Sequence, residues 1–117
     1  MDFASFIRKY DGHEVDWDGK YGAQCVDLYR QYVHDVVGAP QSPPAVGAKD
    51  VWATTDTKYY EKIENTPSGI PQYGDILIWG GGKFGHVAMF MSGGSMRIKV
   101  FEQDGFTQAG AMIANRN

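Results

Sequence analysis

The chain has 117 residues, of which 43% are hydrophobic and 21% are charged, a composition typical of one globular domain. Its 11 basic and 14 acidic residues leave a net charge of −3, which argues against the basic surface of a nucleic-acid-binding protein. The sequence has neither an apolar run of the roughly 18 residues that cross a bilayer nor the regions of a signal peptide, so we expect no membrane insertion.

The first half of the chain has the apolar spacing of helices. Apolar residues recur at intervals of three and four over residues 2–10 and Gln24–Val37, which predicts two amphipathic helices. Gly38 fits the position that ends the second helix. The polar, glycine-containing segment 11–22 indicates a loop, and a weaker pattern within 47–61 predicts a further short helix.

The second half has short apolar runs separated by glycine turns. The runs at Asp75–Trp79, His86–Met91 and Arg97–Gln103 predict three strands of an antiparallel sheet. Helices followed by strands predict an α+β fold, with N-terminal helices packed on a C-terminal antiparallel β-sheet. We expect a single domain over residues 1–117. Because residues 115–117 contain no turn or cap, we also expect that a last strand has been trimmed from the C-terminus.

Cys25 is the single cysteine of the chain, which excludes an intramolecular disulfide and a cysteine-rich zinc site. It lies in the first turn of the second predicted helix, where the unpaired N–H groups of a helix N-terminus stabilise a thiolate. This position is typical of a nucleophilic cysteine. The alternative is a buried, unreactive thiol, which is the commoner environment for a lone cysteine.

A base for this thiol is predicted on the sheet. His86 opens a strand after a glycine, whereas His34 lies about 13 Å along the cysteine helix, too far to serve Cys25. Strand alternation puts Glu102 and Asp104 on one face, and pairing of the two strands would place Glu102 beside His86. A carboxylate there would orient the imidazole. The alternatives are a structural histidine and solvated carboxylates at a strand end.

The loop before the cysteine helix has candidate metal ligands at positions 1, 3, 5, 7 and 12 of a twelve-residue window: Asp16, Asp18, Lys20, Gly22 and Asp27. The three aspartates would bind through carboxylates, and Lys20 and Gly22 through backbone carbonyls. This is the spacing of an EF-hand calcium loop, but tyrosine stands at position 6, where the EF-hand requires glycine. Lysine at position 5 and aspartate at position 12 also depart from that pattern. The alternative is an acidic turn that caps the helix.

Four motifs, taken together, resemble a known family. The segments Gly22–Leu28, Tyr73–Trp79, Gly85–Ala88 and Phe101–Asp104 are similar to the CHAP domain, in the family's order and at compatible separations. CHAP domains are papain-like cysteine amidohydrolases and peptidases found chiefly in phage endolysins and bacterial cell-wall hydrolases. The resemblance therefore implies a papain-like α+β fold over nearly the whole chain.

The resemblance assigns roles to the candidate catalytic residues. It implies that Cys25 is the nucleophile, His86 the general base and acid, and Glu102 the orienting acid. Asp104 stands where many family members have asparagine, so its role is open. The papain-like class also implies an oxyanion hole formed by the Cys25 backbone N–H.

Three further residues are candidates for binding substrate. A second oxyanion donor is expected near Tyr21 or Gln24. Trp79 ends a strand just before the His86 loop and is the preferred aromatic residue for lining a substrate groove, although aromatic residues are also ordinary core material.

Calcium-binding endolysin CHAP domains are similar to this chain over the acidic loop. The resemblance implies that the side chains of Asp16, Asp18 and Asp27 and the carbonyls of Lys20 and Gly22 bind Ca²⁺. Carboxylates and carbonyls are hard ligands suited to that ion. We therefore expect a structural Ca²⁺ that organises the start of the cysteine helix, and no organic cofactor.

The function implied by the resemblance is hydrolysis of an amide bond in bacterial peptidoglycan, as a muramoyl–alanine amidase or as an endopeptidase of the stem or cross-bridge. We expect a monomer that acts at the cell wall, joined to a wall-binding domain and released through a phage holin or carried on the virion. The alternatives are a cytosolic amidase of a small conjugate such as glutathionylspermidine, and a non-catalytic wall-binding module.

Overall fold

The computed structural model describes residues 1–19, 22–94, 96–103 and 110–116. The helices and strands follow one another in chain order: α1 (Phe3–Tyr10), α2 (Cys25–Tyr32), a π-helical turn (Val33–Val37), α3 (Ala48–Ala53), β1 (Ile76–Trp79), β2 (His86–Gly93), β3 (Ile98–Gln103) and β4 (Ala111–Arg116). Within these ranges, no helix is both long enough and apolar enough to cross a membrane.

The four strands form one antiparallel sheet in the order β1-β2-β3-β4, so each strand pairs with its neighbour in the sequence. In the central strand pair, β2 and β3, Met89 lies opposite Phe101. An irregularity between Phe90 and Ser92 shifts the register of the residues that follow in β2. Helices precede the sheet, and together they confirm the predicted α+β fold.

The helices cover one face of this sheet in two apolar clusters. In the first cluster, Phe6 of α1 meets Phe101 of β3 edge to face, with 6.0 Å between ring centroids, and Leu28 of α2 is buried beside them. The second cluster joins α2, α3 and β2 through Tyr29, Val33, Ala48, Val51 and Val87. Because α2 belongs to both clusters, its first turn is held at a defined place on the sheet.

The main difference from the sequence-based expectations is β4. Residues 111–116 pair with β3 along its whole length, including Phe101 opposite Ile113. The segment lacks a clear two-residue alternation because it is an edge strand whose Met112 and Ile113 are both exposed. The helical segment that begins at Cys25 does continue to Val37 as predicted, and Gly38 ends it with a left-handed φ of 75°.

Candidate active site

Cys25 is the first residue of α2, and its thiol is half-buried. Gln24 precedes it in an extended conformation. The Gln24 backbone N–H donates to Asp27 Oδ2 at 2.9 Å, while the Asp27 N–H donates to the Gln24 carbonyl at 3.1 Å. This reciprocal cap defines where the helix begins, and so fixes the backbone on which the thiol is carried.

His86 is the first residue of β2 and lies between the thiol and a carboxylate. Its Nε2 is 3.0 Å from Glu102 Oε1. Cys25 is close enough to the imidazole to raise the pKa of His86. Since Glu102 occupies Nε2, the nitrogen left for the thiol is Nδ1. The structure therefore brings Cys25, His86 and Glu102 together in the order nucleophile, base and orienting acid.

Glu102 is 3% exposed and has a second partner that the sequence analysis missed. Arg116 of β4 donates from Nε to Oε1 and from Nη2 to Oε2, each at 2.7 Å. This two-point contact provides the charge compensation that a buried carboxylate requires. No local motif predicts it, because Arg116 reaches Glu102 only after β4 pairs with β3.

The protonation of the two partners follows from these contacts. Burial by itself would lower the pKa of His86, but its interactions with Cys25 and with the Glu102 carboxylate raise it to about 9. Burial would raise the pKa of Glu102, but His86 and Arg116 lower it to about 2. At neutral pH the site therefore contains an imidazolium held between an ionised carboxylate and the Cys25 sulfur.

Trp79 lies beside the imidazole, as the last residue of β1. It pairs with His86 across the two strands, and the ring centroids are 5.6 Å apart at an interplanar angle of 39°. The other two tryptophans lie elsewhere: Trp17 contacts His34, and Trp52 lies beneath the Lys62 ammonium. Trp79 is thus the tryptophan that borders the Cys25–His86 pair.

The loop that leads into His86 is anchored on α3. The Lys49 backbone N–H donates to the Phe84 carbonyl at 3.1 Å, and the Lys49 Nζ donates to the Gly82 carbonyl at 3.3 Å. Gly85 has a φ of 73°, and a Cβ added there would lie 2.4 Å from the Trp79 carbonyl oxygen. The glycine therefore allows the close backbone approach that directs His86 towards α2.

The acidic loop brings three carboxylates together. Ligand oxygens of Asp16, Asp18 and Asp27 all lie within 4.8 Å of one another, with Asp27 buried and the other two exposed. Burial raises the pKa of Asp27, and the negative charges of Asp18 and Asp16 add to that effect against hydrogen bonds from backbone N–H groups. Such clustered oxygens are a hard donor set that fits Ca²⁺.

The remaining predicted residues are placed as follows. Gly22 is exposed and has a left-handed φ of 76°. The Gln24 carbonyl accepts a hydrogen bond from the buried side chain of Gln103, a contact that the sequence analysis did not foresee. The predicted roles of Lys20, Tyr21 and Asp104 concern positions outside the described residues.

Comparison with known proteins defines the class of this fold and site. The family model described as the CHAP domain matches residues 14–104, which is most of the chain. The chain therefore belongs to the CHAP domain family, and the resemblance inferred from its motifs is confirmed.

Two individual proteins are similar to the chain. It is 32% identical over 111 residues to endolysin PlyTW of Staphylococcus phage Twort (strain DSM 17442 / HER 48), an alignment that covers 86% of this chain. The crystal structure of wild type endolysin LysIME-EF1 shares the fold, with a TM-score of 0.70 and 24% sequence identity over 97% of this chain. The chain spans 23% of the Twort protein and 56% of the LysIME-EF1 chain.

Proposed function

We propose that this domain hydrolyses an amide bond in the peptide part of bacterial peptidoglycan, with Cys25 as the nucleophile. The observation that carries the proposal is the hydrogen bond between His86 and Glu102, next to a cysteine that is the first residue of a helix. Membership of the CHAP family and similarity to two proteins named endolysins support the substrate class.

The reaction begins with attack of the Cys25 sulfur on the amide carbonyl carbon. The Cys25 backbone N–H, in the first turn of α2 and without an intrahelical acceptor, stabilises the oxyanion. His86 gives its proton to the leaving amine as the C–N bond breaks, which leaves a thioester on Cys25. His86 then takes a proton from water as the water attacks the thioester. Breakage of the C–S bond releases the carboxylic acid product and restores the free Cys25 sulfur beside the protonated imidazole.

Glu102 and Trp79 position this chemistry without taking part in bond making. Glu102 holds the imidazole by Nε2 and keeps Nδ1 towards the sulfur. Trp79 lines the groove beside His86, and a second oxyanion donor lies near Tyr21 or Gln24. Asp104, two residues after Glu102 in the sequence, is a candidate to assist His86.

We propose in addition that the acidic loop binds one Ca²⁺. The side chains of Asp16, Asp18 and Asp27 would hold it, together with the carbonyls of Lys20 and Gly22. A bound ion supplies positive charge to the cluster and has a structural role. Since Asp27 also accepts the Gln24 N–H, the same carboxylate would connect the ion site to the cap of the nucleophile helix.

Calcium binding is tested by isothermal titration of the chain with CaCl₂ and, separately, MgCl₂. We expect one Ca²⁺ per chain, and binding weaker by about tenfold or more in Asp18→Asn, because a charged ligand contributes at least ~1.4 kcal/mol. Asp11→Asn is the matched control, because Asp11 is an exposed carboxylate outside the cluster. Equal affinities in all three proteins would contradict the site.

The hydrolase proposal is tested by digesting purified Gram-positive peptidoglycans with the wild-type chain and with Cys25→Ala, followed by mass spectrometry. New amino termini in the stem or cross-bridge would identify an endopeptidase, and a free lactyl group on muramic acid would identify an amidase. Circular dichroism establishes that the variant is folded. Intact walls in both reactions would contradict the proposal, and the same proteins would then be assayed on glutathionylspermidine.

The relatives also suggest how the domain is used. This chain corresponds to less than a quarter of the Twort endolysin, since it spans 23% of it. We propose that the domain is a monomeric catalytic unit of a longer lytic protein that also carries a wall-binding domain. Delivery through a holin or on the virion would bring it to the wall.

A further inference from the structure

Gln103 is a fully buried polar side chain at the end of β3, with 0% of its surface exposed. Its amide makes three hydrogen bonds to main-chain groups. Oε1 accepts from the Val15 N–H at 2.8 Å, and Nε2 donates to the Val15 carbonyl at 2.7 Å and to the Gln24 carbonyl at 2.9 Å. One side chain therefore joins three segments that are far apart in the sequence.

The two segments that Gln103 holds belong to the neighbourhood of the thiol. Gln24 is the residue before Cys25 and the cap of α2. Val15 is buried and comes directly before the acidic loop. The amide thus fixes, from the sheet, both ends of the stretch of chain that leads into the nucleophile helix.

The residue next to Gln103 in β3 is the acid of the candidate site. Glu102 contacts His86, and strand alternation turns Gln103 to the opposite face, where the helices pack. Two adjacent residues of one strand therefore hold the two halves of the site: Glu102 holds the imidazole, and Gln103 holds the backbone that carries the thiol. The position of β3 consequently determines the separation of Cys25 from His86.

We infer that Gln103 is a positioning residue, which sets the distance and orientation of Cys25 relative to His86 by anchoring the Val15 and Gln24 backbone to β3. The inference rests on the proposed function of the Cys25–His86 pair. A glutamine is required because the site needs one acceptor and two donor hydrogens on one planar group. Glutamate retains the shape but presents acceptors to two carbonyl oxygens, which removes two hydrogen bonds and adds repulsion.

The test compares Gln103→Glu and Gln103→Asn with the wild type in CaCl₂-containing buffer at pH 7. The first measurement is the rate of Cys25 alkylation by iodoacetamide, followed by mass spectrometry; Cys25 is the single cysteine, so the site of labelling is unambiguous. The second is kcat and KM on a soluble muropeptide. Tyr32→Phe is the matched control, because it removes one hydrogen bond, to the Gly74 carbonyl at 2.6 Å, about 10 Å further along the same helix.

We expect alkylation in folded Gln103→Glu to be slower than wild type by about tenfold or more, with equal rates in denaturant, and kcat to fall with little change in KM. Gln103→Asn keeps the amide group, so its alkylation rate and kcat should fall less than those of Gln103→Glu. Tyr32→Phe should react at the wild-type rate despite a lower melting temperature.

Folded Gln103 variants that melt earlier but alkylate and turn over at the wild-type rate would overturn the inference, because Gln103 would then be only structural. So would failure of both variants to fold while Tyr32→Phe folds. If walls and muropeptides remain uncut by the wild type but the alkylation contrast is observed, the proposed function fails and the positioning role stands. If the wild type and Gln103→Glu cleave equally well, the proposed function stands and the positioning role fails.

Discussion

The side chain that most constrains this site is Glu102, a buried carboxylate with two cationic partners. His86 contacts Oε1, while Arg116 contacts both oxygens. A carboxylate removed from water is destabilising unless it is paired and hydrogen-bonded, and here each partner also restricts the rotation of the carboxylate. Arg116 therefore holds the group that holds the imidazole.

Arg116→Gln should reduce both activity and stability. We expect kcat/KM to fall by about tenfold, equivalent to ~1.4 kcal/mol, because Glu102 becomes free to rotate away from His86. The expected loss in the free energy of unfolding is about 2 kcal/mol, less than for a fully buried pair because the guanidinium is partly exposed.

The measurements for this variant are muropeptide kinetics and urea denaturation. Arg97→Gln is the control, since Arg97 is an exposed residue just before β3. Wild-type kinetics in Arg116→Gln would show that the two-point contact does not position the acid.

At the level of helices and strands, the active site depends on how the start of α2 and the start of β2 are brought together. The N-cap formed by Gln24 and Asp27 fixes the start of α2, and the hydrogen bond from α3 to the Phe84 carbonyl fixes the chain just before β2. Gly85 lies in the short connection between that anchor and His86. Its positive φ and its approach to the Trp79 carbonyl leave no room for a side chain.

Gly85→Ala should displace the beginning of β2. We expect a loss of about 2–3 kcal/mol in unfolding free energy, from the positive φ together with the clash, and a decrease in kcat as His86 moves. Gly80→Ala in the same loop is the control, because a Cβ there has nothing within 4 Å. Thermal melts and kinetics of the two variants provide the comparison, and equal behaviour would contradict this role of Gly85.

For the whole molecule, the charged groups of the candidate site make the free energy of unfolding depend on pH. The pKa of His86 rises from 6.5 to about 9 on folding, so its contribution to stability is complete below pH 6.5 and is lost as the pH rises through 9. The pKa of Glu102 falls from 4.5 to about 2, so its contribution is complete above pH 4.5 and is lost as the pH falls through 2.

These two groups together should stabilise the fold most between pH 4.5 and 6.5. We expect the free energy of unfolding, measured by urea denaturation from pH 4 to pH 10, to decline on the alkaline side of that window. In His86→Gln the decline between pH 6.5 and 9 should be reduced. An unchanged slope in the variant would mean that other groups cause the decline.

Patterns of a few residues predicted much of the fold and of the candidate site. Apolar spacing predicted α1 and the helix that begins at Cys25, and short apolar runs between glycine turns predicted β1 to β3. The motifs predicted a CHAP domain, which the family match confirms. The hypothesis that Glu102 lies beside His86 used only alternation and hairpin pairing, both of which act over short stretches of chain.

The contacts that sequence reasoning missed depend either on the unpredicted strand β4 or on a buried polar side chain. β4 is an exposed edge strand, so its pairing with β3, and with it the approach of Arg116 to Glu102, leaves no local pattern. Gln103 resembles any polar residue at a strand end, yet it is buried against Val15, 88 residues away. The local sequence thus determined the helices, the first three strands and the types of the reactive residues. Burial and strand pairing decided which polar groups hold those residues in place, because a buried amide or carboxylate is stable only where the fold supplies its hydrogen-bond partners.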